Sequence, residues 1–364
     1  MPRHAYTGHL PAPHTTSTLV RISDPEGATG LGQFDSDSYG DFDLAPFETL
    51  RTIVPRLIGR DPLEREAIWD AIRDHGTAPD LPGVRSAIDI ALWDLVGHRA
   101  DLPLHRMLDP EGGERRGLPA YASVPTLANP EAYADELARL IDAGYPAAKI
   151  HAWGDPERDV AALEAARSAS DAMTLMYDAE GMLERTAAMA VIPALDALSI
   201  RWFEAPLPDL DLEGYRALRR GGRVPILPAG DSIWDPRLMR EVLRDDPPWD
   251  AMRFDVTFAG GITSAIRLFE VAADHGMEVE LTSYGQTLVQ AANLHVALAF
   301  GRTTYFERAV PPEEFGFGVT TPIEIEGDGN VIPPDGPGLG IELDEEAVSS
   351  ATLARLVVDR STLG

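Results

Sequence analysis

Lysine occurs once in the 364-residue sequence, as Lys149, while every other long basic side chain is arginine. An ammonium is compact and its pKa moves when it is buried, whereas a guanidinium stays charged. A lysine kept at this one place points to a role arginine cannot fill. The stretch PAAKIH around it reads as a buried β-strand that stops at His151. A period of two puts Lys149 and His151 on one side and Ile150 on the other. Three later strand-like runs, TLMYD, IRWFE and PILPAGD, finish on Asp178, Glu204 and Asp231. Three carboxylates gathered at one mouth repel one another unless a cation neutralises them. Oxygen-only ligands suit Mg2+, which combines a few carboxylates with water and substrate oxygens. One Mg2+ per subunit is therefore expected, held by Asp178, Glu204 and Asp231.

Such side chains need a scaffold that brings strand ends together. After Gly117, strand-like runs end near Ser123, His151, Asp178, Glu204, Asp231, Asp255, Tyr284 and Glu307. Their spacing of roughly 23 to 29 residues, with amphipathic helical stretches between, is what a (β/α)8 TIM barrel requires, and catalytic groups in that fold come from the C-terminal strand ends. A doubly wound open sheet is the alternative, but no Gly-x-Gly-x-x-Gly follows any strand. Upstream, TTSTLVRISD and ATGLGQFD read as two strands around a turn at Pro25-Glu26-Gly27. A helical pattern runs from Leu44 to about Asp74, broken at Pro55 and Pro62. Apolar residues at 84, 87, 88, 91, 92, 95 and 96 then predict a helix with one wide buried face. The stretch after Glu307 is rich in Gly and Pro and leaves the last helix of the barrel poorly defined. The expected organisation is an α+β capping domain over 1–112, a barrel over 113–320, and a C-terminal segment, 321–364, returning to the capping domain.

Composition narrows the function. A formal charge of -28 argues against nucleic acid or an anionic membrane as partner, because both need a basic face. There is no cysteine, which excludes disulfides and thiol catalysis. The first residues lack an apolar h-region, and no run is long and apolar enough to span a bilayer, so a cytoplasmic enzyme is the expectation.

In order along the chain, SAIDIALWDLVGHRADLPLHRMLD, KIH, YDAEG, FEAPLP, AGDS and FDVTFAGGIT resemble the successive motifs of the enolase superfamily, in its mandelate racemase/muconate lactonizing enzyme branch. The likeness covers nearly the whole chain from about Thr18 to Phe315. It implies that Mg2+ holds a substrate carboxylate, that a base removes the proton α to it, and that the charge of the resulting enediolate is stabilised. It also implies that Asp178, Glu204 and Asp231 are the metal ligands, and that Lys149 is a cation near the substrate carboxylate. His151 stands where the family's base lysine stands, and an imidazole works as acid or base at neutral pH without a large pKa shift.

Two departures bear on the reaction. The third ligand is commonly Glu where Asp231 stands. The seventh strand commonly ends in a His paired with the sixth-strand Asp; here Asp255 is kept, but Tyr284 is the aligned residue. One good base, His151, suffices for syn β-elimination of water. Glu307 is then expected to be protonated, among other acids, and to hydrogen-bond the carboxylate or enediolate. The resemblance thus implies an acid-sugar dehydratase giving a 2-keto-3-deoxy acid. The alternatives are a racemase, epimerase or cycloisomerase using the Asp255 relay or Tyr284, and a non-catalytic sugar-acid binder. It implies a homo-oligomer as well, and substrate-selecting loops at 1–14 and 34–44, with His4, Tyr6, His9, His14 and Tyr39 as candidate contacts. Polar loops fit a polyhydroxy acid; Trp153, Phe258 and Tyr284 keep an aromatic or hydrocarbon acid open.

Overall fold

A computed structural model describes residues 14–38, 44–73, 81–109, 117–151, 153–320 and 322–363. Strands β1 (His14–Ser23) and β2 (Thr29–Ser38) form an antiparallel hairpin around the expected turn. Helices α1 (Leu44–Ile53) and α2 (Arg65–Arg73) follow, separated where Pro55 and Pro62 were expected to break the pattern. Helix α3 (Pro82–Ala100) is buried from Gly83 to Gly97. The hairpin lies directly on its backbone: a Cβ added at Gly30 or Gly32 would sit 2.1 Å from the Ala91 carbonyl oxygen or 2.0 Å from that of Ala87. Only glycine permits that approach. The loops expected to select substrate fall largely outside the described residues, as do His4, Tyr6, His9 and Tyr39; of His14 only the backbone is described.

Eight parallel strands then alternate with helices: β3 (Leu118–Val124), β4 (Ala147–His151), β5 (Thr174–Asp178), β6 (Phe203–Glu204), β7 (Ile226–Leu227), β8 (Ala251–Phe254), β9 (Glu278–Leu281) and β10 (Phe306–Ala309). Ladder pairing runs β10-β3-β4-β5-β6-β7, with β8-β9 as a separate pair. At the two seams, Asp250 donates its N–H to the Ile226 carbonyl (2.9 Å) and Val279 to that of Arg302 (3.2 Å). The strands thus enclose the expected barrel. Helices follow the first seven of them; directly after β10 stands the 3-10 turn Pro312–Phe315 instead, where Pro311 and Pro312 remove helix donors. Outward-facing residues such as Ile150 and Phe254 join the main core. Inward-facing Tyr121, Ala147, Met176, Trp202, Leu227 and Ala251 form a separate layer inside the barrel.

Polar groups on the buried helix α3 join the parts. Asp89 accepts from the Thr263 N–H (2.9 Å) and hydroxyl (2.6 Å), and Trp93 donates to the same hydroxyl. Asp94 accepts from Leu31 N–H (2.7 Å) and Leu339 N–H (2.6 Å), linking hairpin, helix and C-terminal chain. Beside this junction, fully buried His295 donates Nε2–H to the Leu339 carbonyl (3.2 Å), so its Nδ1 accepts from the His105 backbone N–H (3.2 Å). Burial, then the neighbouring His105, pushes the imidazole of His295 down to about 3.

That shift has a signed consequence. The unfolded chain takes up the His295 proton near pH 6.5 and the folded chain does not, so stability falls as pH drops from about 6.5 toward 3. We expect His295→Asn to flatten the loss of thermal stability between pH 7 and pH 5. Equal slopes for variant and wild type in pH-resolved melts would remove His295 as a source of acid lability.

Candidate active site

The alternation within β4 places Lys149 and His151 inward, as expected, and both are almost wholly buried. Ladder pairs set His151 beside Asp178 and Asp178 beside Glu204. Lys149 Nζ lies 2.7 Å from Glu204 Oε1, 3.0 Å from Glu307 Oε1 and 3.1 Å from Asp178 Oδ2. Five of the expected residues therefore share one cluster. Burial alone would lower the Lys149 pKa, but Glu204 and Glu307 outweigh it and raise it well above normal, so the ammonium stays charged.

A second buried cation, Arg253 on β8, was not anticipated. Its guanidinium is 2.8 Å from Glu204 Oε1 and 3.0 Å from Glu307 Oε2, and it donates to the Tyr121 hydroxyl (3.1 Å). Glu204 also accepts from Trp202 Nε1 (3.1 Å). Both Arg253 and Trp202 lie two residues before an expected site acid, on the same face of their strands, and the period of two would have found them.

Glu307 corrects one expectation. Burial pushes its carboxyl up, but Lys149, Arg253 and the Ser283 N–H (3.0 Å) hold it well below the usual carboxylate range. It is an ionised acceptor, not a neutral donor. Burial, aided by Asp178 and Glu307 against the pull of Arg253 and Lys149, raises Glu204 instead, to about 7.

His151 corrects a second. Its Nδ1 is 2.6 Å from the Val124 carbonyl oxygen, which only accepts, so Nδ1 carries the proton and Nε2 presents its lone pair. That Nε2 lies 3.4 Å from Asp178 Oδ2 and 3.9 Å from Glu180 Oε1. Tyr133 steadies the strand end by donating to the His151 carbonyl (3.0 Å). Burial, then the Lys149 charge, pushes the imidazole down to about 4, a large shift where none was expected. His151 is neutral at neutral pH and a weaker base than an exposed imidazole.

On the opposite wall, Asp255 accepts from the Thr257 N–H (2.6 Å) and hydroxyl (2.7 Å) and from Asn293 (3.2 Å), all at Oδ1. Its buried Oδ2 has no hydrogen-bond partner among the described residues, and burial raises the carboxyl to about 7. Strand β9 stops at Leu281, three residues short of the expected Tyr284. The ladder pairs Arg253 with Glu280 and Phe254 with Leu281, so the neighbour of Asp255 is Thr282. The Tyr284 ring packs edge-on against Phe315, with centroids 5.4 Å apart. Trp153 packs edge-on against Tyr133 and donates to the Leu127 carbonyl (3.1 Å), while Phe258 is exposed.

Asp231 lies in the turn after β7, four residues past the strand end and on the solvent side. No side-chain partner among the described residues holds its carboxylate. Although the residue is open to solvent, crowding of its carboxylate by surrounding protein atoms, then Asp209 and Glu204, raises its proton affinity. Among the described residues no three His, Asp or Glu side chains stand together as a ready ligand set. The donor chemistry nevertheless fits a divalent cation. When all four are ionised, Asp178, Glu204, Asp231 and Glu307 exceed the two fixed cations, Lys149 and Arg253, by two negative charges, which a divalent cation would balance. Asp178 and Glu204 already share one cation, the Lys149 ammonium, and the third carboxylate has no competing protein partner.

Comparison with known proteins places the chain in a family. Residues 132–347 match the family described as "Enolase C-terminal domain-like", and residues 11–109 match "Mandelate racemase / muconate lactonizing enzyme, N-terminal domain". A crystal structure from Pseudovibrio sp., described as a candidate mandelate racemase/muconate lactonizing enzyme, superposes with a TM-score of 0.88 at 35% identity over 93% of this chain and 90% of that one. N-succinyl-L-Arg/Lys racemase of Bacillus cereus is 26% identical over 94% of this chain and 92% of its own length. 3,6-anhydro-alpha-L-galactonate cycloisomerase of Streptomyces coelicolor is 30% identical over 90% and 89%. Relatives named as galactonate-family or talarate/galactarate dehydratases match over most of the chain too.

Proposed function

The chain belongs to the mandelate racemase/muconate lactonizing enzyme family of the enolase superfamily, and on that premise we propose that it dehydrates a sugar acid to a 2-keto-3-deoxy acid. The observation that carries this reading is the asymmetry of the two walls. His151 presents a neutral, tautomer-fixed Nε2, whereas the opposite wall carries Asp255 beside Thr282 and, among the described residues, no imidazole. A single base that takes the α-proton and returns it to the leaving hydroxyl on the same face needs no partner across the site.

Asp178, Glu204 and Asp231 would hold Mg2+. Bound there, the ion would hold the substrate carboxylate and supply the positive charge that lowers the acidity barrier of the α-carbon. The chain's own residues do the rest. Lys149 adds a second fixed positive charge where negative charge develops, the kind of preorganised stabilisation that is usually the largest catalytic contribution. Glu307, ionised, keeps Lys149 and Arg253 in place. Val124 fixes which nitrogen of His151 reaches the substrate.

A second reading has its own support. The Asp255 carboxyl, raised to about 7 with Oδ2 unpartnered, is suited to deliver a proton from the opposite wall, as an epimerase or cycloisomerase requires. The two readings separate in one screen of purified protein with Mg2+ against sugar acids. Dehydration yields a keto acid detected by semicarbazide absorbance, and Asp255→Asn should leave most of it. Exchange of the α-hydrogen with solvent deuterium without keto acid, abolished by Asp255→Asn, would replace dehydration with the second reading.

A further inference from the structure

Asp231 is the one carboxylate of the proposed ligand trio that no group among the described residues holds, yet its backbone is fixed. The fixing group is Asp209, from the loop after β6. Its Oδ1 accepts the Ala229 N–H (2.8 Å), and its Oδ2 accepts those of Gly230 (3.1 Å), Asp231 (2.9 Å) and Ser232 (3.1 Å). Four consecutive amides thus converge on one nearly buried carboxylate. Gly230 within that turn has φ +89, and a Cβ there would lie 2.2 Å from the Arg253 carbonyl oxygen, so the turn is pressed against β8.

Converging amides make a concave anion site. An aspartate inside such a turn would ordinarily satisfy it with its own carboxylate, because Asp readily bonds nearby backbone N–H groups. Here the site is already filled from another loop. We propose that Asp209 is a positioning residue: by occupying the nest of amides 229–232 it keeps the Asp231 carboxylate from folding back onto its own turn and leaves it available to a divalent cation. This rests on the reading that Asp178, Glu204 and Asp231 hold the metal.

A merely structural aspartate lies two residues away for comparison. Asp211 caps the helix Leu212–Arg219 through the Gly214 N–H (3.1 Å) and pairs with Arg185. Mn2+ binding is titrated by EPR on the full-length wild type, Asp209→Asn, Asp211→Ala and Glu204→Gln, with melting temperatures taken on the metal-free proteins. We expect Asp209→Asn to weaken Mn2+ binding about 10- to 100-fold, the range for groups that orient a metal ligand. Asp211→Ala should lower the melting temperature and leave Mn2+ affinity within about twofold. If Asp209→Asn behaves like Asp211→Ala, Asp209 only stabilises the loop and the proposal is wrong. If the wild type binds no Mn2+, or Glu204→Gln binds it as wild type does, the metal reading itself fails and takes this inference with it.

A second variant covers the case in which Asp209→Asn does not fold. In Asp231→Ala, amide hydrogen exchange at Gly230 and Ser232 should stay as slow as in wild type while Mn2+ binding is lost. Faster exchange there would mean that Asp231 caps its own turn, and would overturn the assignment to Asp209.

Discussion

His151→Ala is expected to lower the rate of α-proton removal by about 10²- to 10⁴-fold, the usual contribution of a positioned acid/base group, while divalent-metal binding stays intact. The imidazole touches Asp178 at 3.4 Å, but the carboxylate keeps its contacts to Lys149 Nζ and to the Glu180 N–H (2.8 Å) without it. The depressed proton affinity sharpens the expectation. Nε2 is unprotonated over the whole neutral range, so the rate should show no loss from protonation of this group until well below pH 6. Glu204→Gln makes the contrast, since it should lose metal binding and turnover together. Deuterium exchange at the α-carbon, followed by NMR alongside Mn2+ titration, reads both effects. Exchange at the wild-type rate in His151→Ala would remove it as the base.

Lys149→Met should have the largest effect on stability. Its ammonium contacts three carboxylates with almost no solvent access, and removing it leaves Glu204 and Glu307 with Arg253 and takes from Asp178 its charged partner. Breaking a buried ion pair at one partner costs about 3–5 kcal/mol because the remaining charges are left uncompensated. The loss should be greatest without metal and partly recovered in saturating Mg2+, since a ligand bound only to the folded state adds stability. Lys149→Arg should not rescue it, because a planar fork cannot replace a compact ammonium beside an existing buried guanidinium. A metal-free denaturant midpoint for Lys149→Met within about 1 kcal/mol of wild type would show that the cluster does not depend on this cation.

The strand ends were legible because periodicity two and a regular repeat are local properties. That was enough to bring Lys149, His151, Asp178, Glu204 and Glu307 into one place, and to make Ile150 face outward. Charge states were not legible, because they depend on neighbours far apart in sequence. Glu307 was expected to be neutral from its acidic company, yet Arg253, 54 positions earlier, lies against it and ionises it. His151 was expected to titrate normally, but depth and the adjacent ammonium decide otherwise. The ends of β7 and β9 were placed a few residues late, since short strands running into turns leave no break in the hydrophobic pattern. Asp209 carries no strand signal at all; its role exists only because the next loop folds over it.

The ladder around the barrel is not continuous: β8 and β9 pair with each other, and among the described residues one backbone amide bond at either side joins them to the six-strand run, alongside side-chain bonds. Arg253 sits on β8 and reaches Glu204 on β6 and Glu307 on β10, across both gaps. The ionic cluster therefore acts as a hoop around staves that backbone pairing leaves loose. The atoms expected to serve the chemistry thus also bridge the two places where the ladder is interrupted.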